Sequence, residues 1–373
     1  MASRKYSTNL NAICAYFTMF PLEFPLGYLR RHAQESEWVL DPFCGRGTTN
    51  FAARLLGLPS VGIDSSPIAV ALSRAKMVSP TVEEIMSAAE QILHEVGEPA
   101  EVPRGEFWEL AYHESVLKDL CRLREGLLRD SESEARVALR AILLGALHGP
   151  RTKSPSYLSN QAPRTYAPKP DYSVRYWRRH GLFPRRVDVL KVIERRAQRY
   201  YGAPVPRTPG YVFLGDSREE ELFSKLKAVL AGHRAGFSRV VTSPPYYGLR
   251  TYIPDQWLRN WFLGGPPKVD YSTEGQMAHS SPEAFVGQLN RVWRNVGELC
   301  APKATLVTRF GSINDRKVDA HELIRASFKD SGWRITTIRS AGTAQRGKRQ
   351  AESFFRRLSE PNEEVDVYAV WCG

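Results

Sequence analysis

Two short strings, about two hundred residues apart, hold residues whose types and spacing suit a chemical reaction. They are Asp41-Pro-Phe-Cys-Gly-Arg-Gly-Thr-Thr49 and Thr242-Ser-Pro-Pro-Tyr246. In the first string, Gly45 and Gly47 permit a sharp turn and a close approach of the backbone to a ligand, and the helix expected after them begins with free N–H groups. The first string therefore predicts a site for a ligand that carries a nucleoside.

The second string suits a flat base with an exocyclic amine, which is a poor nucleophile because its lone pair is delocalised into the ring. The Ser243 hydroxyl and the Pro244 carbonyl could accept the two amine hydrogens and draw the lone pair out. Pro244 and Pro245 fix φ and so preorganise these acceptors. Tyr246 could stack on a base that has left its helix. Together the strings predict methyl transfer to a nucleic-acid base.

Two acids qualify the first string. Asp41 is expected at the end of a strand, where a carboxylate suits a cationic sulfonium better than a pyrophosphate. Asp64 is expected to end the next strand and to accept hydrogen bonds from ribose hydroxyls. The glycine spacing is not that of a dinucleotide fingerprint, and no lysine follows as in a phosphate loop. A nicotinamide-dependent dehydrogenase is therefore disfavoured.

The order of strand, glycine turn, helix and strand predicts an α/β protein with a doubly wound, mostly parallel sheet. Strands are predicted at 38–40, 60–63, 211–214, 238–241, 304–310, 334–338 and 365–371. Helices are predicted at 48–56, 67–77, 81–97, 115–128, 132–147, 184–200, 281–299 and 320–331. Residues 81–207 are interpreted as a helical and basic insertion, which divides one catalytic domain into 1–80 and 208–373.

Positive charge is concentrated in the insertion. The chain has a net charge of +12, and residues 151–199 hold thirteen Lys or Arg against three acids, with four tyrosines and Trp177 as interleaved aromatics. Such clustering predicts a polyanionic partner, and a second candidate for nucleic-acid contact is the loop 249–280. The residues predicted to bind a nucleic-acid polyanion are Arg151, Lys153, Arg164, Lys169, Arg175, Arg178, Arg179, Arg185 and Arg186.

Other classes of protein are disfavoured by composition. The five cysteines are scattered, and neither they nor the histidines have metal-ligand spacing, so no metal is expected. No apolar run approaches the roughly 18 residues of a membrane span, and the N-terminal residues are polar. These features predict a cytoplasmic protein that does not enter membranes.

The motifs resemble those of the amino-methylating DNA methyltransferases, and among them the N4-cytosine type. Asp41 to Thr49 matches that family's S-adenosyl-L-methionine motif, and Thr242 to Tyr246 matches its catalytic motif. The resemblance extends over 16–77 and 211–371. Ser243 in place of an aspartate favours cytosine over adenine.

The resemblance implies further roles. Asp64 would bind the cofactor ribose, Asp216 would meet its adenine, and Val307 to Phe310 would wall the target-base pocket. The segment Tyr16 to Pro25 would close over the cofactor. The cofactor-binding residues are then Asp41, Phe43, Gly45, Gly47, Thr48, Thr49, Asp64, Asp216, Phe20 and Pro21.

The implied substrate is double-stranded DNA with a flipped cytosine, in a bacterial or archaeal cytoplasm. The insertion at 81–207 is the candidate region for recognition of the DNA target. A cognate restriction endonuclease is a candidate partner, and the chain could act as a monomer or a homodimer. Three alternatives stay open: an N6-adenine DNA methyltransferase, an RNA base amino-methyltransferase, and a DNA-binding protein whose catalytic site is inactive.

Overall fold

The described part of the chain contains one sheet of seven strands. The computed structural model describes residues 6–16, 20–149, 157–160, 168–230, 236–247, 252–269, 271, 277, 281–311, 319–343 and 363–373. The strands are β1 (Trp38–Asp41), β2 (Ser60–Asp64), β3 (Gly210–Leu214), β4 (Phe237–Thr242), β5 (Cys300–Gly311), β6 (Trp333–Thr343) and β7 (Glu363–Trp371). All seven predicted strands are present.

The strand order is β3-β2-β1-β4-β5-β7-β6. The first five strands in this order pair in parallel, and β7 runs antiparallel to both β5 and β6. The chain moves outward from β1 to β3 and then returns to the other side of β1 with β4. A doubly wound, mostly parallel sheet was predicted, and this topology confirms it. The change of direction between β1 and β4 is where such sheets bind ligands.

Helices connect the strands and build a second, helical part of the chain. A short 3₁₀ helix covers Asn9–Ala12. The α-helices are α1 (Glu23–His32), α2 (Thr48–Leu55), α3 (Pro67–Ala75), α4 (Val82–Glu95), α5 (Glu106–Ala111), α6 (Glu114–Arg129), α7 (Glu134–Ala146), α8 (Pro170–Arg179), α9 (Val189–Tyr201), α10 (Glu220–Leu230), α11 (Tyr252–Asp255), α12 (Trp257–Phe262), α13 (Pro282–Gly297) and α14 (Ala320–Ser327).

Two predictions about helices were wrong. The helix predicted at 184–200 begins only at Val189, because Asp188 caps it: its Oδ1 accepts a hydrogen bond from the Lys191 amide at 3.1 Å. The loop predicted at 249–280 contains α11 and α12, and the buried Trp257 and Trp261 belong to an aromatic core with Phe107 and Trp108. Tryptophan clusters suit a core as well as an interface, so their spacing could not separate the two.

The chain divides into two compact units. A helical unit comprises Met1–Ala15, Val78–Val205 and Thr251–Ser272, and a sheet unit comprises Tyr16–Met77, Pro206–Arg250 and Thr273–Gly373. The helical unit thus includes the predicted insertion together with an N-terminal piece and a later piece that the sequence had assigned to the catalytic domain.

Within the sheet unit, Arg54 joins the point where the chain leaves to the point where it returns. Its buried guanidinium donates hydrogen bonds to the carbonyl oxygen of Lys76 and, at 2.7 Å, to that of Pro206. Nearby, the Ser60 amide donates to the Pro209 carbonyl at 3.1 Å. The two chain segments on either side of the insertion therefore lie side by side.

None of the described helices is long and apolar enough to span a membrane.

Candidate active site

Four polar residues follow neighbouring strands of the sheet unit. Asp41 ends β1, Asp64 ends β2, Asp216 lies two residues beyond β3, and Ser243 directly follows β4. Because the carboxyl ends of parallel strands meet at one edge, the sheet places these residues along a single edge at the change of strand direction. The structure thereby brings together the two strings that the sequence separates.

Two hydrogen bonds join the strings directly. The Thr242 hydroxyl donates to Asp41 Oδ1 at 2.6 Å, across 201 residues of sequence. The Thr49 hydroxyl donates to the Val241 carbonyl at 3.1 Å. Thr242, Thr49 and Asp41 are all buried, so water does not compete for these bonds. The residue before Ser243 is therefore fixed against the acid of the glycine turn. This role of Thr242 depends on the pairing of β1 with β4 and has no local sequence signal.

Glycine is required in the turn that begins α2. Gly47, the residue before this helix, has φ of 75°, and a Cβ there would lie 2.7 Å from the Ser73 Oγ. Gly45 has φ of 51°, and apart from its two chain neighbours no atom of the described residues lies within 4 Å of the place its Cβ would take. The turn is closed on the Gly47 side and open on the Gly45 side, where a ligand could approach the backbone.

Asp64 holds this turn. Its Oδ2 accepts a hydrogen bond from the Gly45 amide at 2.8 Å, and its Oδ1 accepts one from the Ser66 amide at 2.9 Å. Each carboxylate oxygen can accept more than one hydrogen bond, so these contacts leave acceptor capacity for a ligand hydroxyl. Burial raises the pKa of Asp64 to about 6, although the two amides act to lower it.

Asp41 is a buried acid with one oxygen left over. Oδ1 accepts hydrogen bonds from the Thr242 hydroxyl and, at 3.1 Å, from the Phe43 amide. Oδ2 accepts none among the described residues. Burial raises the pKa of Asp41 to about 6, the hydrogen bonds from Thr242 and Phe43 act to lower it, and the charge of Asp64 adds to the rise. A cation that reached Oδ2 would stabilise the charged form.

The raised pKa of Asp41 predicts how stability depends on pH. A carboxyl whose pKa is about 6 when folded and 3.8 when unfolded stabilises the fold most when it is protonated. That contribution is complete below 3.8 and is lost as the pH rises through about 6. We expect Asp41→Asn to become progressively more stable than the wild type over this interval, by up to about 3 kcal/mol. Melting temperatures of the ligand-free proteins would test it, and parallel pH curves would contradict it.

The third acid, Asp216, is paired with the Arg218 guanidinium. Both oxygens of Asp216 accept hydrogen bonds from it, and the single Nε–H is shared between them, with Nε 2.9 Å from each. Burial acts to raise the pKa of Asp216, but the hydrogen bonds and charge of Arg218 outweigh it, and the pKa is lowered. The next residue, Ser217, donates its hydroxyl to the Pro42 carbonyl at 2.7 Å. The end of β3 is thus tied to the turn after β1.

The second string, Thr242 to Tyr246, is only partly buried in the sheet unit. Pro244 is buried, whereas Ser243, Pro245 and Tyr246 are half-buried. The Tyr246 hydroxyl donates to Glu364 Oε1 at 2.6 Å. The Tyr246 ring lies edge-on to Phe310, with ring centroids 5.8 Å apart.

Two residues that the sequence did not single out shape the place of Tyr246. Glu364 is a buried acid at the start of β7. Gly311 makes room for the ring, because a Cβ there would lie 3.0 Å from a ring carbon of Tyr246. Glu364 and Gly311 face each other in the register of β5 and β7. Sequence gives no local signal for either, since both act through strand pairing.

The remaining residues predicted to bind the cofactor differ in how far they are buried. Thr48 and Thr49 are buried, and Phe43 is half-buried with its ring 6.3 Å from that of Trp293. The Phe20 ring packs at 5.4 Å against Phe24, which lies 4.1 Å below the Arg309 guanidinium, and Pro21 is exposed. The start of α1 is thus held against β5, the strand predicted to wall the base pocket.

All six described members of the predicted nucleic-acid-binding set are exposed at the surface of the helical unit. They are Lys169, Arg175, Arg178, Arg179, Arg185 and Arg186. Arg178 also forms an ion pair with Glu106. Arg151, Lys153 and Arg164 lie outside the described residues. Trp177, one of the interleaved aromatics, is fully buried and belongs to the helical core.

Comparison with solved structures gives remote similarities. An rRNA methyltransferase from Streptomyces viridochromogenes is 14% identical, with 98% of this chain and 93% of that chain covered and a TM-score of 0.35. A methyltransferase of the S-adenosylmethionine-dependent class from Methanosarcina mazei is 8% identical, with 95% and 99% covered and a TM-score of 0.34. TM-scores this low carry no conclusion about this chain. No curated protein matches.

A family comparison is more specific. Residues 2–74 match the N6/N4 methyltransferase family, described as DNA methylase. The matched segment contains β1, the glycine turn, Asp41 and Asp64, which are the parts assigned to the cofactor. This match confirms the predicted resemblance to the amino-methylating DNA methyltransferases and, with it, S-adenosyl-L-methionine as the cofactor.

Proposed function

We propose that this chain transfers a methyl group from S-adenosyl-L-methionine to the exocyclic N4 of cytosine in double-stranded DNA. The observation that carries the proposal is the 2.6 Å hydrogen bond between Thr242 and Asp41. It links a turn suited to the cofactor with a string suited to an aromatic amine. The family match supports a DNA substrate, and Ser243 supports cytosine.

The turn fits the cofactor on three counts. Asp41 Oδ2 is a buried acceptor with no described partner, the Gly45 side of the turn is open, and Asp64 presents a carboxylate beside it. When bound, S-adenosyl-L-methionine supplies an electrophilic methyl group on a cationic sulfur. Asp41 would face the positive charge, Asp64 would hold hydroxyls of the ribose, and Phe43 with the start of α1 would cover the ligand.

The catalytic string would orient and polarise the target amine. The Ser243 hydroxyl and the Pro244 carbonyl would accept its two hydrogens, so that the nitrogen lone pair turns away from the ring. Pro245 limits the backbone and keeps the acceptors in place. The ring of Tyr246 would stack on the flipped base, and Glu364 would keep the ring in position through the phenolic hydroxyl. Most of the rate enhancement would then come from positioning.

The bond between Tyr246 and Glu364 makes a testable prediction. We expect Tyr246→Phe and Glu364→Gln to raise the KM for DNA by about three- to tenfold each, with smaller changes in kcat, because both loosen the ring that receives the base. The double variant should be no worse than either single variant, since Glu364 acts through the hydroxyl. Steady-state methylation kinetics would measure this, and additive losses would show that Glu364 acts independently of Tyr246.

We also propose that the helical unit contacts the DNA duplex with its exposed arginines and lysines. Phosphate neutralisation would make binding fall steeply with salt. A restriction endonuclease with the same recognition sequence is the candidate partner, and either a monomer or a homodimer could act on a duplex site. The protein would then work on DNA in a bacterial or archaeal cytoplasm.

The decisive experiment is on DNA from cells that express the chain. After enzymatic digestion to nucleosides, mass spectrometry should detect N4-methylcytosine in this DNA and none in DNA from cells that carry the empty vector. N6-methyladenine instead would keep the mechanism and overturn the base assignment. A modified base confined to RNA would favour the RNA methyltransferase alternative. No modified base, together with intact DNA binding, would favour an inactive DNA-binding protein.

A further inference from the structure

The segment between α8 and α9, residues 180–188, displays an apolar side chain among arginines. We call it the α8–α9 loop. Phe183 in this loop is 74% exposed, far more than other phenylalanines in the described part of the chain. Exposed arginines lie on both sides of it in sequence, Arg178 and Arg179 before and Arg185 and Arg186 after. A single exposed apolar residue is ordinary in itself, so the inference depends on its surroundings.

The backbone next to Phe183 is firmly held. The Leu182 amide donates to the carbonyl of the fully buried Trp177 at 2.9 Å. The Leu182 carbonyl accepts a hydrogen bond from Asn160 Nδ2 at 3.2 Å, and Asn160 Nδ2 also donates to the Leu110 carbonyl at 3.0 Å. The loop is therefore ordered, and Phe183 extends into solvent from a fixed base. A backbone that is already held loses little entropy when the side chain it carries binds a partner.

The surrounding charge selects the kind of partner. The exposed cations near the loop outnumber the exposed acids Asp171, Asp188 and Glu106, the last of which is paired with Arg178, so an anionic surface is favoured. Along α8, the Tyr172 and Tyr176 rings stack 6.3 Å apart, and the Tyr176 and His180 rings lie 4.3 Å apart. A partner that offers phosphates at its rim and apolar faces between them suits both features. Duplex DNA has this arrangement, because stacked base pairs lie between two phosphate chains.

We propose that Phe183 is a wedge that inserts between base pairs of duplex DNA while Arg185 and Arg186 bind the flanking phosphates. This proposal rests on the proposed DNA substrate and adds a way of deforming it. Apolar wedges unstack a base step and kink the duplex, and unstacking lowers the cost of extruding a neighbouring base. The arginines supply affinity without reading sequence, and the phenyl ring supplies the deformation.

The test compares full-length wild type with Phe183→Ala, the double variant Arg185→Ala/Arg186→Ala, and Leu128→Ala as a matched control. Leu128 is a 44% exposed apolar residue of α6, in the same unit but outside the basic segment. Closed-circular plasmid is relaxed by a topoisomerase in the presence of saturating protein, and the linking number is read after the protein is removed. A wedge unwinds the duplex and leaves a shifted set of topoisomers. Fluorescence anisotropy with a labelled mixed-sequence duplex gives affinity over a range of salt.

Wild type and Leu128→Ala should unwind the plasmid equally. Phe183→Ala should bind about tenfold more weakly with an unchanged salt slope, and should not unwind DNA even at saturation. The double arginine variant should reduce the salt slope by about 2 and still unwind DNA when saturated.

The proposal is overturned if Phe183→Ala unwinds the plasmid like the wild type, or if the wild type does not unwind it. The proposed function fails separately, when wild-type expression yields no methylated base in DNA. Normal DNA methylation with no effect of Phe183→Ala on unwinding would therefore reject only the wedge.

Discussion

Replacement of Ser243 by alanine should lower kcat for DNA methylation by roughly 10²- to 10³-fold, the loss typical of removing one preorganised hydrogen-bonding group from a reacting centre. Ser243 directly follows β4 and is half-buried beside the buried Thr242–Asp41 bond. In the proposed mechanism its hydroxyl accepts an amine hydrogen, whereas alanine offers no acceptor. Because the change leaves the glycine turn intact, the affinity for S-adenosyl-L-methionine should change by less than about threefold.

Single-turnover methylation of DNA and calorimetric titration of the cofactor would measure the two quantities on the same protein. Ser243→Thr is the matched variant, since it keeps the hydroxyl and should retain more activity than Ser243→Ala. Equal loss of cofactor affinity and turnover in Ser243→Ala would show that the serine supports the cofactor site and not the amine.

Asp41→Asn should weaken binding of S-adenosyl-L-methionine by about 10- to 100-fold at neutral pH. The asparagine keeps an oxygen for the hydrogen bonds from Thr242 and Phe43, so the turn should keep its shape. What it loses is the negative charge at the buried Oδ2, which has no described partner. We therefore expect the weaker binding without a loss of thermal stability, because a buried charge has been removed.

S-adenosyl-L-homocysteine is the control ligand, because its sulfur carries no positive charge while its nucleoside is unchanged. Its affinity should fall far less in Asp41→Asn than that of S-adenosyl-L-methionine. For the wild type, the affinity for the charged ligand should also decline as the pH falls below about 6, where Asp41 takes up a proton. Equal losses for the two ligands would mean that Asp41 shapes the turn and does not face the sulfonium.

The sequence was sufficient for features that depend on neighbours along the chain. Gly47 predicted the turn because only a residue tolerant of positive φ fits there. Ser281 predicted the start of α13, and its Oγ accepts the Ala284 amide at 3.1 Å. The sheet followed from apolar runs, three of which end in Asp41, Asp64 and Thr242, and the strand order then placed Asp41 next to Thr242.

Features that depend on distant pairing could not be predicted in this way. Glu364 lies 118 residues after Tyr246 and reaches it only because β7 pairs with β5. The helix α8 begins at Pro170, at the end of a segment rich in proline, and a proline there suits a first helical turn as well as a loop. The burial of Trp257 and the exposure of Phe183 likewise depend on how helices pack, which composition does not specify.

The side-by-side chain segments at Arg54 have a consequence for how such a protein can change its target. Since the guanidinium joins the carbonyls of Lys76 and Pro206, the sheet unit is closed at the place where more than a hundred residues are inserted. Insertions are tolerated where the two attachment points are close together, because the host does not have to stretch. Under the proposed function, with the inserted segment as the candidate region for target recognition, exchanging it for one with a different surface would direct the same chemistry to another DNA sequence, with β1, β2 and β4 left untouched.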